Sequence, residues 1–105
     1  MTVERDNNEE GGVATKDRIK VKKPSLYKVL LHNDDYTSME FVVYILKSVF
    51  GKSEGVANQI TMNIHEKGTG ICGVYTFEIS ETKQRRIMTE AKENGFPLLC
   101  TIEKE

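Results

Sequence analysis

The pattern of apolar and polar residues becomes regular after Pro24 and changes its period several times. Leu26 to His32 is apolar and rich in residues that favour β-structure, which predicts a buried strand. Between Met39 and Phe50 the apolar residues recur at helical spacing, and Gly51 is a natural stop. The tetrapeptide TSME at residues 37–40 fits a capping box, which predicts Thr37 as the N-cap of this first helix.

A second helix is predicted between Ser53, which can cap its start, and Gly68, which can end it. Its apolar positions repeat at helical spacing and define one face. These positions are Val56, Ala57, Ile60 and Ile64.

The segment from Gly70 to Ser80 alternates with period two, which predicts a second strand. Ser80 is then expected to cap a third helix that runs to about Asn94. The run ENGFP, residues 93–97, is typical of a helix end followed by a turn. The apolar run from Leu98 to Glu103 completes the pattern as a last strand.

The predicted order is β-α-α-β-α-β, and the economical arrangement is an α+β fold. We expect a small three-stranded antiparallel sheet with three helices packed against it. Residues 1–24 carry charges of both signs and no apolar period, so they are predicted to be a disordered, flexible N-terminal extension. Residues 25–105 form the predicted domain.

Composition narrows the class of protein. A chain of 105 residues holds one domain, and a net charge of −1 gives no field that favours nucleic acid. No apolar run approaches the roughly 18 residues of a membrane span, and no signal peptide is visible. Cys72 and Cys100 are far apart in the sequence. We expect free thiols in a reducing cytoplasm, with a disulfide or redox pair as the alternative.

Three motifs in the sequence suggest other kinds of chemistry. GTGICG, residues 68–73, matches G-x-G-x-x-G but follows a helix and opens a strand, which is the wrong context for a dinucleotide. His32, Asp34 and His65 are scattered and give only a weak metal signal, which leaves a small metal-dependent hydrolase as one alternative. The basic run Lys16–Lys23 leaves a nucleic-acid binder as another.

The run HNDD, residues 32–35, places polar groups where a strand gives way to a helix. A turn followed by a helix cap would explain it. Alternatively, the run HNDD forms part of a binding site with His65, Ile64 and Thr61, which lie near the end of the second helix. If these residues face Met39 and Val42, they form a small apolar cup. Its rim would carry Asn33, Asp34 and His65.

Such a cup suits the first residue of a polypeptide. An α-amino group is mostly cationic at neutral pH and needs acceptors such as an amide oxygen, a carboxylate or a neutral imidazole. The adjoining side chain needs an apolar hole. An internal residue offers only an amide nitrogen, without the charge, and would be rejected.

Several long segments resemble the ClpS adaptor family over residues 25–105. They are NDDYTSMEFV, IHEKGTGICGVYTFEISETK and PLLCTIE. The resemblance implies a cytoplasmic, monomeric adaptor of the N-end rule pathway, not an enzyme, with no cofactor, metal, nucleic acid or membrane involved. It would bind N-degron proteins that begin with Leu, Phe, Tyr or Trp. It would deliver them to the N-terminal domain of a ClpA-type, or possibly ClpC-type, AAA+ ATPase that works with ClpP.

The resemblance also implies residue roles. Asn33, Asp34 and His65 would bind the α-amino group. The side-chain pocket would be lined by Thr37, Met39, Val42, Thr61, Ile64 and Leu98, with Met39 as the gatekeeper against β-branched first residues. Glu78 and Lys83 would contact the ATPase.

Two positions depart from the pattern of the family. Ser38 stands where many relatives have Pro, a mild change because both residues suit a helix start. Thr61 stands where relatives usually carry Met. Because Thr is shorter and polar, we expect a wider or wetter cup, with larger aromatic first residues favoured over Leu or with looser discrimination.

Overall fold

The computed structural model describes residues 23–105. Its central strand, β1, spans Leu26–His32, as the sequence predicts. Strands β2, Thr69–Thr76, and β3, Leu99–Lys104, flank it, so the sheet order is β2-β1-β3. Both neighbours pair with β1 in antiparallel register. Residues 1–22, which hold most of the predicted extension and of the basic run, lie outside the described residues.

Three helices accompany the sheet: α1 at Met39–Ser48, α2 at Glu54–Lys67 and α3 at Phe77–Glu93. The predicted order β-α-α-β-α-β and the antiparallel sheet are confirmed. Buried side chains from every strand and helix form one core. Its members include Val29, Leu31, Phe41, Ile45, Leu46, Ala57, Ile64, Cys72, Ile87, Ala91 and Cys100.

The start of α1 differs from the prediction by one residue. Ser38, not Thr37, is the N-cap, and its Oγ accepts a hydrogen bond from the backbone N–H of Phe41 at 3.1 Å. The hydroxyl of Thr37 is already bonded to the carboxylate of Asp34 at 2.8 Å. Thr37 therefore closes the preceding loop and leaves the capping role to its neighbour.

The boundary between β2 and α3 was predicted wrongly. The strand ends at Thr76 and the helix begins at Phe77, so Ser80 is not a cap but a fully buried residue of the first helical turn. Its Oγ lies 3.4 Å from the carbonyl oxygens of both Tyr27 and Tyr75, to which it donates. The buried residues Ser80, Ile87 and Ala91 follow helical spacing, and this face decides the structure of the segment.

The helix faces also differ in part from the predicted ones. In α1 the buried side chains are those of Phe41, Val42, Ile45 and Leu46. Met39 is 44% exposed and lies outside the core. In α2, Val56 is exposed and Thr61 is buried beside Ala57 and Ile64. The polar Thr61 tolerates burial because its Oγ1 donates to the carbonyl of Ala57 at 2.8 Å.

Cys72 and Cys100 are free and buried, as expected. They lie on the two strands that flank β1. Burial raises the pKa of each thiol to about 12, so neither is a thiolate near neutral pH. Within residues 23–105, no helix combines the length and the apolar character that crossing a membrane would require.

Candidate functional site: an apolar cup with a polar rim

The loop between β1 and α1 is held by the carboxylate of Asp34. Its Oδ1 accepts hydrogen bonds from the backbone N–H groups of Tyr36, at 2.8 Å, and Thr37, at 2.7 Å. Its Oδ2 accepts the hydroxyl of Thr37 at 2.8 Å. This is the turn that the run HNDD suggested, and it fixes the orientation of the carboxylate at the N-terminal end of α1.

These contacts also fix the charge of Asp34. Partial burial disfavours the ionised form, but the hydrogen bonds from Thr37 and Tyr36 outweigh burial and lower the pKa below its ordinary value of 3.8. A carboxylate has about four lone-pair positions, and three are filled within the loop. Among the described residues 23–105, one lone-pair position of this carboxylate carries no hydrogen bond, and its lowered pKa keeps the group ionised at neutral pH.

The end of β1 is fastened to the C-terminal end of α2. The backbone N–H of Asn33 donates to the carbonyl of Gly68 at 2.8 Å. Gly68 adopts the left-handed conformation, with φ of 89°, and its N–H donates to the carbonyl of Ile64 at 2.8 Å. Asn33 on the loop and His65 in the last turn of α2 are therefore held at the same corner of the molecule.

Gly70 allows α2 and β2 to approach closely. A Cβ atom at this position would lie 2.7 Å from Cγ1 of Ile64, which is shorter than real carbon contacts. Isoleucine is stiff near its branch point, so a side chain at residue 70 would displace Ile64, which lines the cup. The glycines of GTGICG thus serve as a helix end and a close backbone contact, as their position in the sequence indicated.

The result is a cup between the β1–α1 loop, the start of α1, the end of α2 and the residue before β3. Its cavity volume is about 20 Å³. Pockets for whole small molecules have about 300–1,000 Å³, so the cup is narrow and suits only a part of a ligand. It is lined by His32, Asn33, Asp34, Thr37, Met39, Val42, Thr61, Ile64, His65 and Leu98.

All nine residues to which the family resemblance assigned amino-group or side-chain binding line this cup. Val42, Thr61, Ile64 and Leu98 are buried and form its apolar part. The tenth residue, His32, was considered only as a weak metal ligand. Its Nε2 pairs with Oγ1 of Thr101 at 2.7 Å, and its position directly before Asn33 was the only signal that could have placed it here.

The two residues assigned to ATPase contact lie away from the cup, in α3. Glu78 is exposed in the first turn. Lys83 is half-buried, and its Nζ donates to the carbonyl of Val49 at 2.7 Å. The same Nζ lies 5.7 Å from the ring centre of Phe50 and 5.0 Å from that of Tyr75. Lys83 therefore holds the end of α1 against α3.

No group of three or more His, Cys, Asp or Glu side chains within residues 23–105 is arranged to hold a metal ion. His32, Asp34 and His65 all line the cup. However, the described contacts of His32 and Asp34 are with Thr101 and with the loop. The arrangement places hydrogen-bond acceptors around an apolar hole.

Comparison with known proteins identifies the family. A sequence model described as "ATP-dependent Clp protease adaptor protein ClpS" matches residues 22–101. The chain belongs to the ClpS family.

Similar members are named ATP-dependent Clp protease adapter protein ClpS. The protein of Hyphomonas neptunium is 54% identical over 93 residues, which cover 89% of this chain and 79% of that protein. The protein of Parvibaculum lavamentivorans is 50% identical over 105 residues, with 96% of each chain covered.

A solved structure shares the fold. ClpS2 of Agrobacterium tumefaciens, determined with bound L-phenylalaninamide, matches with a TM-score of 0.77 and 44% sequence identity. The match covers 79% of this chain and 100% of that one. The chain is thus an adaptor of the Clp protease system by family, as the segments around the cup indicated.

Proposed function

We propose that this protein binds the free N-terminal residue of N-degron proteins in the cup and delivers them to an ATP-dependent Clp protease in the cytoplasm. The observation that carries the proposal is the rim of Asn33, Asp34 and His65 above a buried apolar wall. An ammonium group finds an amide oxygen, a charged carboxylate and an imidazole nitrogen there. The first side chain fills the apolar space below.

The relative from Agrobacterium tumefaciens supports the class of ligand. Its bound L-phenylalaninamide carries a free amino group and an aromatic side chain, and its amide stands in for the peptide bond to a second residue. The fold and the lining residues of the cup suit the same chemistry in this chain. We therefore propose Leu, Phe, Tyr and Trp as the first residues that it accepts.

The energies are consistent with reversible binding. Burial of a Leu or Phe side chain contributes roughly 1.5–3 kcal/mol. Each hydrogen bond to the charged amino group contributes about 1.5–3 kcal/mol. Association opposes this gain by at least about 4 kcal/mol. A dissociation constant in the micromolar range or weaker follows, which suits an adaptor that must release its cargo.

We propose the first turns of α3 as the contact with the N-terminal domain of a ClpA-type ATPase. Glu78 is exposed there and available to a partner. Lys83 already donates one hydrogen bond to Val49. An ammonium has three donors, so Lys83 can add a contact to the ATPase without releasing the end of α1.

Thr61 is expected to set the preference among first residues. Its hydroxyl is bonded to Ala57, so its small size, more than its polarity, distinguishes the cup. A Thr61→Met variant should shift affinity from Trp and Tyr toward Leu, by about fourfold for each methylene of space lost. The experiment measures binding of peptides that differ only in the first residue, by fluorescence anisotropy.

The matched control variant for these peptides is Thr61→Val, which keeps the size of the side chain and removes its hydroxyl. It should preserve the order of preference among first residues. Unchanged ratios of Leu, Phe, Tyr and Trp in the Met variant would show that Thr61 does not limit the cup. Equal binding of all first residues, including Ser, would overturn the proposed function itself.

A further inference from the structure

A second, larger recess adjoins the cup on its α1–α2 side. Its lining includes Met39, Glu40, Val43, Glu54, Thr61 and Met62, and its cavity volume is about 440 Å³. Met39 and Thr61 line both spaces, so they form the wall between them. A polypeptide whose first residue lies in the cup must leave past its rim, and this side recess is directly beside it.

The side recess has an apolar floor and acidic edges. Met39 and Met62 are 44% and 42% exposed, and their flexible thioethers provide an adaptable apolar surface. Glu40 and Glu54 provide the two charges of the lining, both of them negative. Arginine and lysine have the matching form, an apolar stem that packs on such a surface and a cationic head.

The two carboxylates are not equivalent. Glu54 is paired with Lys47, whose Nζ lies 3.2 Å from its Oε1. Glu40 forms no ion pair within the described residues 23–105. Glu40 is therefore the stronger attractor for an added cation, and Lys47 competes with any cation that approaches Glu54.

We propose that the side recess takes the side chain of an arginine or lysine that follows the first residue of the bound polypeptide. This inference rests on the proposed function, because the cup must hold the chain end for the next residues to reach the recess. It adds a second recognition element, based on charge, to the reading of the first residue.

The experiment uses peptides that begin with Phe and carry Arg, Gln or Glu at position two, three or four, one position at a time. At the position that reaches the recess, Arg should bind about two- to fivefold more tightly than Gln, and Glu more weakly, as for exposed ion pairs. The Arg advantage should shrink as salt is raised. No dependence on charge at any of the three positions would overturn the proposal.

Two variants with opposite expected effects on the Arg advantage make the test specific. Glu40→Gln should remove most of the Arg advantage while binding of the Gln peptide is unchanged. Lys47→Gln frees Glu54 and should increase the advantage. Glu93→Gln makes the same change of charge at the exposed end of α3 and should leave the advantage as it is.

The outcomes distinguish failure of the side recess from failure of the proposed function of the cup. An Arg advantage that is equal in the protein and in Glu40→Gln, or that falls equally in Glu93→Gln, would overturn the role of the recess. If free and N-acetylated peptides bind equally well, the proposed function of the cup is wrong, whatever the result for the side recess. If Glu40→Gln loses the Arg advantage and keeps the first-residue preference, the result supports binding of the Arg side chain in the side recess, separately from the reading of the first residue.

Discussion

Acetylation of the N-terminus of a Phe-initiated peptide should reduce its binding by at least about a hundredfold. The acetyl group removes the positive charge and two of the donors while it leaves the aromatic side chain in place. Two lost hydrogen bonds to a charged group, at about 1.5 kcal/mol each, already amount to that factor. Fluorescence anisotropy with labelled peptide pairs of identical sequence measures the difference.

Steric exclusion by the acetyl group needs its own control. A peptide that begins with N-methyl-Phe adds bulk at the same nitrogen but keeps the charge and two protons. It should retain most of the affinity, within about tenfold, because only one donor is lost. If acetylated and free peptides bind equally, the rim of Asn33, Asp34 and His65 does not recognise an amino group.

Replacement of Asp34 should have the largest effect of any single substitution in the cup. Asp34→Asn removes the charge, and a lost charge-assisted bond should weaken binding about ten- to a hundredfold. The turn should survive. The amide oxygen can still accept from Tyr36 and Thr37, and the amide N–H can donate to the hydroxyl of Thr37.

Two further variants separate charge from structure. Asp34→Ala loses all three loop hydrogen bonds and should reduce the free energy of unfolding by about 3 kcal/mol, in addition to the loss of binding. Asp35→Asn changes the neighbouring exposed carboxylate, which does not line the cup, and should bind normally. Chemical denaturation and anisotropy on the same samples distinguish the effects. Normal affinity in a stable Asp34→Asn variant would remove Asp34 from the rim.

The elements that the sequence predicted well are those whose ends carry local signals. Strand β1 has the predicted bounds, and α2 is capped by Ser53 and ended by Gly68 as expected. Both ends depend on hydrogen bonds between residues close in the chain, such as that from the N–H of Val56 to Ser53. Such contacts can be predicted from four or five consecutive residues of the sequence.

The elements that were missed depend on distant partners. Alternation through Phe77 and Ile79 looked like a strand, but the β-ladder ends where Leu26 pairs with Thr76. Beyond that pair, the burial of Ser80 against Tyr27 favours a helix. Likewise Thr37 matched a capping pattern, yet its hydroxyl is occupied by Asp34.

The lining of the cup could be predicted because the residue chemistry indicated seven of its positions and the family resemblance added Thr37 and Leu98. Its geometry could not. The bond between Asn33 and Gly68 joins residues 35 positions apart, and the close approach of Gly70 to Ile64 requires the fold. The position of His32 beside the cup and the engagement of Lys83 with Val49 are also tertiary features.

The most direct measurement is a crystal structure of the protein with a peptide that begins with Phe. The account predicts the ammonium within hydrogen-bond distance, about 2.7–3.2 Å, of acceptors on Asn33, Asp34 and His65. The ring should lie against Val42, Ile64 and Leu98. A peptide that binds elsewhere, or that places an internal residue in the cup, would contradict the account.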